Sequence, residues 1–134
     1  MKTSEIVYLG ELRTEAVHIR SGNTIITDAP VDNHGKGEAF SPTDLVATAL
    51  GSCMVSIMGI LANAHQLDVV GAKVSVMKHM GSDPRRIIGI DVDIYMPDKN
   101  YTHKDKKMFE HAALTCPVAK SIHPDIKQSV NFHW

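Results

Sequence analysis

Hydrophobic and polar positions change period several times along this chain, and each change marks an element. From Ser4 to Asp28 the pattern is that of short strands. Ile6 and Tyr8 alternate with Val7 and Leu9, Leu12, Thr14 and Ala16 oppose Arg13, Glu15 and Val17, and Thr24 to Thr27 is β-branched throughout. Gly10 and Ser21-Gly22-Asn23 supply turns, so a three-stranded meander is predicted. Asp28 to Ala39 reads as a loop broken by Pro30, Gly35 and Gly37. A helix start follows: Ser41 can cap it, Pro42 suits its first position, and Asp44 can complete a capping box. From Leu45 to Ala64 about 20 residues carry no charge, and their apolar members fall on every side of a 3.6-residue helix. A helix apolar all round is predicted to be buried. Its small residues (Thr48, Gly51, Ser52, Ser56, Gly59) let other backbones come close.

After Val69 the period becomes two. Val70, Ala72, Val74 and Val76 face one way, and Lys73, Ser75 and Met77 the other. Beyond the Gly81–Pro84 turn, Ile88, Ile90, Val92, Ile94 and Met96 share one face, with Asp91, Asp93 and Tyr95 opposite. That is a hairpin with one dry and one wet face, and the dry face is the natural seat of the apolar helix. Thr102 opens a second helix with Asp105 at the capping-box position and an apolar stripe of Met108, Phe109, Ala112 and Ala113. Cys116-Pro117 starts a short helix running to Ser121 or Ile122. Ile126 to Trp134 alternates as a last strand, offering Ile126, Val130, Phe132 and Trp134 to the core. The predicted order is βββ-α-ββ-αα-β, an α+β fold in a single domain over residues 1–134.

Composition narrows the function. With 134 residues there is room for one sizeable core. A net charge of −1 gives no electrostatic footprint for nucleic acid or an anionic membrane, and 5% aromatics gives no platform for stacking bases. Leu45 to Ala64 is long enough to span a bilayer. It is rich in Ser, Thr, Gly and Ala, lacks flanking Trp or Tyr anchors, and sits among half-polar strands that need a core, so no membrane partner is expected. Met1 to Glu5 has no apolar run behind it and reads as no signal peptide. Two cysteines make no disulfide framework, and a cytoplasmic location with reduced thiols is the expectation. The eight histidines include no close His/Cys spacing and no His-Glu-x-x-His, so no metal is expected. Lys104, Lys106 and Lys107 read as a solvated helix face.

The chemistry therefore rests on Cys53 and Cys116. A thiol attacks as thiolate and needs a lowered pKa to react near neutrality. Cys116 has a local activator in the start of a helix. Cys53, in mid-helix, has none within a turn, and the residues alone favour an inert core cysteine. Were it a nucleophile, its cation would come from elsewhere, with Arg13, Arg20, Arg85, Arg86 and His18 as candidates.

Ser41 to Met54 reads Ser-Pro-Thr-Asp-Leu-Val-Ala-Thr-Ala-Leu-Gly-Ser-Cys-Met, and Cys116 to Ile126, about 60 residues later, reads Cys-Pro-Val-Ala-Lys-Ser-Ile-His-Pro-Asp-Ile. In this order and spacing the two motifs resemble the OsmC/organic hydroperoxide resistance (Ohr) superfamily, and the Ser-Pro-Thr-Asp-Leu start resembles its small OsmC-like branch. The resemblance implies an intertwined α+β homodimer whose long central helices pack between antiparallel sheets. It also implies a metal-free, cysteine-based peroxidase that reduces organic hydroperoxides, with no cofactor beyond an external thiol or dithiol reductant, a lipoylated protein among the possibilities. Cys53 matches the peroxidatic cysteine and Cys116 the resolving one. The thiolate would become a sulfenic acid, condense with the second thiol to a disulfide, and be reopened by exchange.

In the family an arginine from the N-terminal region, held by an acidic residue near the helix start, activates the thiolate. Thr43 stands where the hydroperoxide-resistance branch has glutamate, with Asp44 the nearest substitute for orienting the arginine. Arg13 and Arg20 both sit in candidate strands, and Arg13 is favoured because it neighbours Glu15 on one strand face. Met54, Ile57 and Met58 are the candidate lining of an apolar substrate pocket. The alternative is a protein of the same fold that binds a hydrophobic ligand or senses oxidants without efficient turnover.

Overall fold

The computed structural model describes residues 1–134. Its elements are β1 (Ser4–Gly10), β2 (Arg13–His18), β3 (Thr24–Asp28), α1 (Pro42–Ala64), β4 (Lys73–Gly81), β5 (Arg86–Tyr95), α2 (His103–Leu114), α3 (Pro117–Ser121) and β6 (Lys127–His133). This is the expected order, with one 3-10 turn at Val31–Asn33 added inside the predicted loop. The chain forms two compact units, Met1–Val46 and Ala47–Trp134.

In the first unit β1, β2 and β3 pair as an antiparallel meander, with Arg13 directly across from Asp28. The β1–β2 turn places both Glu11 and Leu12 at positive φ (52° and 64°), where Asn-Gly is the usual choice. Contacts hold it there. Leu12 N–H donates to Tyr8 Oη at 3.2 Å, Leu12 O accepts from Ala29 N–H at 3.0 Å, and Lys36 Nζ meets Glu11 Oε2 at 2.6 Å. The unit ends in the capping box of α1: Ser41 Oγ accepts from Asp44 N–H and Asp44 Oδ2 from Ser41 N–H, both at 3.0 Å.

In the second unit the sheet order is β4-β5-β6, with β4 antiparallel and β6 parallel to β5. A parallel neighbour needs a crossover, and α2 and α3 provide it. The core gathers Leu50, Met54 and Met58 of α1, Ile90, Val92 and Ile94 of β5, Phe109 and Ala113 of α2, and Cys116. α1 lies close to β4 because Gly51 has no side chain. A Cβ there would meet Val76 Cγ1 at 2.8 Å and Val74 Cγ1 at 2.9 Å. Valine cannot swing away, being stiff at χ1. Gly51→Ala should therefore lose about 1–2 kcal/mol net of the helix-propensity gain, read as a Tm lower by several degrees.

Two expectations are corrected. Ile88 is off the dry face, 41% exposed, because β5 bulges: His79 pairs with Gly89 but Met80 with Ile87. The extra residue shifts the alternation, so Ile87 packs on the core instead. α1, expected to be buried all round, is buried on one side only. Val46, Ala49, Cys53, Ser56, Ile60 and Asn63 form a stripe at alternating steps of three and four, and Ile60 is 63% exposed.

Candidate active site

Cys53 lies in the middle of α1, at the edge of the buried face, half-buried against the core. Cys116 caps α3: its Sγ accepts the Ala119 N–H at 3.4 Å and Pro117 fills the first helical position. The fold makes the two cysteines neighbours, with both thiols free. Cys116 is 0% exposed. Burial pushes its thiol pKa up, the Ala119 and Val118 N–H groups pull part of that back, and the neighbouring Cys53 raises it again. The sequence reading of Cys116 as a thiol activated by its helix start is thus reversed. Burial outweighs the pull of a five-residue helix on this thiol.

The candidate pocket residues divide. Met54 and Met58 are fully buried in the core, on the face that α1 turns toward β5, and do not line an open cavity. Ile57, one turn beyond Cys53, is half-buried. The space that does open along this part of α1 is a groove of about 300 Å³ lined by Thr48, Gly51, Ser52, Val55, Val74 and Val76. Helical angle explains the difference: steps of 100° put 48, 52 and 55 together and turn 54 and 58 inward. No single-residue signal in an all-apolar run distinguishes these faces. On the wet side of the sheet, His79 and His133 meet Asp91 and Asp93 at 2.7 and 2.9 Å.

Within the unit Met1–Val46 a charged cluster forms around Arg13. Its Nε donates to Asp28 Oδ1 at 2.7 Å, one terminal nitrogen donates to Asp28 Oδ2 at 2.9 Å, and the same nitrogen reaches Glu38 Oε2 at 3.4 Å. Asp28 is 1% exposed and also accepts the Glu38 N–H at 3.0 Å. The Arg13 fork holds the Asp28 carboxyl below its ordinary range against the opposing effect of burial, and Asp28 raises the Arg13 pKa in return. The carboxylate gripping Arg13 is therefore Asp28, where the sequence suggested Asp44, whose Oδ2 meets the Ser41 N–H in the capping box. The signal was present but unused. Pairs in the β2–β3 hairpin are symmetric about Arg20–Ser21, which sets Asp28 opposite Arg13. Arg20, expected in a strand, is an exposed residue of that turn.

An α+β scaffold that sets a helix-borne thiol against a buried one defines a two-thiol protein. The chain belongs to the OsmC-like protein family, whose model matches residues 35–131. Among solved structures it is similar to a Psychrobacter arcticus 273-4 protein provisionally assigned to the osmotic stress induced and detoxification response. The identity is 54% and the TM-score 0.95, over 99% of this chain and 96% of that one. An organic hydroperoxide resistance protein OsmC of Legionella pneumophila shares the fold at 14% identity, TM-score 0.76, over 100% and 98% of the chains. A Vibrio cholerae protein provisionally assigned to organic hydroperoxide resistance, with captopril bound in one of its active sites, shares the fold at 12% identity, TM-score 0.74, over 98% and 92%. No curated protein matches the sequence.

Proposed function

We propose that this protein is a thiol-dependent peroxidase that reduces organic hydroperoxides, with Cys53 attacking and Cys116 resolving. The observation that carries the reading is that two free thiols of unlike environment are neighbours, one half-buried and one sealed in the core. Membership of the OsmC-like family and the names of its structural relatives agree with it. The thiolate takes the terminal peroxide oxygen, the sulfenic acid condenses with the second thiol, and an external thiol or dithiol reopens the disulfide. Arg13, pre-oriented by its fork on buried Asp28, is the proposed activating cation. The protein works as a homodimer in this reading. The uncovered stripe on α1 and the exposed Ile6, Val7, Tyr8 and Leu9 on β1 are apolar surface that a second copy would cover.

The test is a thiol count. One equivalent of an alkyl hydroperoxide is added to reduced protein, the thiols are counted by mass spectrometry, and dithiothreitol is supplied for turnover. Rapid loss of both thiols to a Cys53–Cys116 disulfide that cycles is the expected result. A disulfide that forms once and does not cycle would mark a redox sensor. Two thiols still free after minutes would remove the enzyme.

A further inference from the structure

The two cysteines differ most in what lies behind them. Cys116 is fully buried and belongs to the core cluster with Leu50, Met54, Ile90, Phe109 and Ala113. Cys53 is half-buried and sits in the stripe of α1 that the chain leaves uncovered. A line from Cys116 through the neighbouring Cys53 therefore runs from the core out toward the rim of α1. Exchange at sulfur is an in-line displacement, with the entering group, the attacked sulfur and the leaving group on one axis. In a Cys53–Cys116 disulfide that axis leaves one sulfur open. A thiol attacking Cys116 would have to enter from the core. A thiol attacking Cys53 enters from the rim, on the side away from Cys116.

We propose that the reductant attacks Cys53 and not Cys116, so that the mixed disulfide of the reductive step is carried on Cys53, in the place the peroxide oxygen has just left. The inference rests on the peroxidase reading above. When Cys116 attacks the Cys53 sulfenic acid, the S–S bond forms as the S–O bond breaks, and hydroxide leaves from the side of Cys53 away from Cys116. The reductant thiolate enters along that same line. Its sulfur bonds to Cys53, the bond to Cys116 breaks, and Cys116 departs as a thiolate that takes up one proton. The second thiolate of the reductant then attacks the reductant's own sulfur in the mixed disulfide, and Cys53 departs as a thiolate. The dithiol is oxidised by two electrons, the protein disulfide is reduced by two, and Cys53 returns in its reactive form.

Leaving-group chemistry by itself argues for the opposite order. The thiol of lower pKa leaves faster, and burial pushes the Cys116 thiol up. Access outweighs this, because a sulfur closed on its far side is not attacked whatever group would leave. The Ala119 N–H, 3.4 Å from Cys116 Sγ in the reduced protein, is also placed to meet the departing thiolate. Hydroperoxide and reductant thus use one approach to one sulfur.

The test maps the adduct in wild type. Diamide, which couples neighbouring thiols without hydroperoxide chemistry, closes the disulfide. The oxidised protein receives a brief pulse of glutathione, is stopped in acid, unfolded and alkylated with N-ethylmaleimide, and the peptides holding Cys53 and Cys116 are read by mass spectrometry. Glutathione on Cys53 with N-ethylmaleimide on Cys116 should exceed the reverse by about tenfold or more. The same pulse given in guanidinium, where burial is gone, should divide between the two within about threefold. Glutathione chiefly on Cys116, the same division folded and unfolded, or a folded disulfide that takes no glutathione would overturn the proposal and leave the peroxidase reading in place. A Cys53 adduct in a protein whose reduced thiols resist alkyl hydroperoxide would remove the peroxidase and leave the order of exchange standing. No disulfide with diamide would overturn both.

Discussion

Cys53→Ser should abolish hydroperoxide consumption, by on the order of 10³-fold or more, with dithiothreitol as reductant. The argument is chemical rather than steric. Serine fits the space of cysteine, but its hydroxyl does not ionise near neutrality and cannot form a sulfenic acid or a disulfide. The site is half-buried on the uncovered edge of α1, so the polar substitution strands no buried group. Thermal unfolding should stay within about 1 kcal/mol of wild type, since Cys53 packs on the core but is only half-buried. Turnover surviving in a folded Cys53→Ser protein would sink the assignment of this sulfur as nucleophile.

Arg13→Gln carries the next largest effect. If Arg13 supplies the positive charge that favours the Cys53 thiolate, its loss should slow Cys53 oxidation by about 10²–10³-fold, the scale of removing one preorganised electrostatic partner. An unchanged rate would pass the role to another cation. The same cluster makes a prediction about acid. Asp28 is held below the ordinary carboxylate range, chiefly by the Arg13 fork. A group whose folded pKa is depressed adds stability that is present above its unfolded value and lost as pH falls through the folded one. Wild-type melting temperature should thus drop on acidification below about pH 4, and Asp28→Asn should flatten that part of the profile. Parallel profiles for the two proteins would show that the Arg13–Asp28 pair contributes nothing to acid stability.

The glycine at position 51 shows how far local reading reaches. Its small size was visible in the sequence, and so was the inference that some backbone comes close. That the neighbour is the Val74–Val76 face of β4 was not visible, since it depends on where a distant hairpin lands. The helix starts were fully legible. Ser41 and Asp44 close one capping box, Thr102 and Asp105 another, and Cys116-Pro117 opens α3 as expected, because a cap is made by residues three apart. The strand faces were legible except in two places: one inserted residue in β5 exchanges Ile88 for Ile87, and Val70, read on the dry face, precedes β4 in a turn and is 80% exposed.

The sequence by itself determined the order of elements, the helix starts and the two candidate cysteines, because each of these follows from residues close together in the chain. Tertiary structure alone decided the rest. It set Asp28 against Arg13 by strand register, turned Met54 and Met58 into the core while opening the groove beside Val55, and left one stripe of α1 uncovered. It also reversed the reading of Cys116. Its place at a helix start is local and argues for an acidic thiol, but its sealing among residues from α1, β5 and α2 is not local, and desolvation outweighs a few backbone N–H groups.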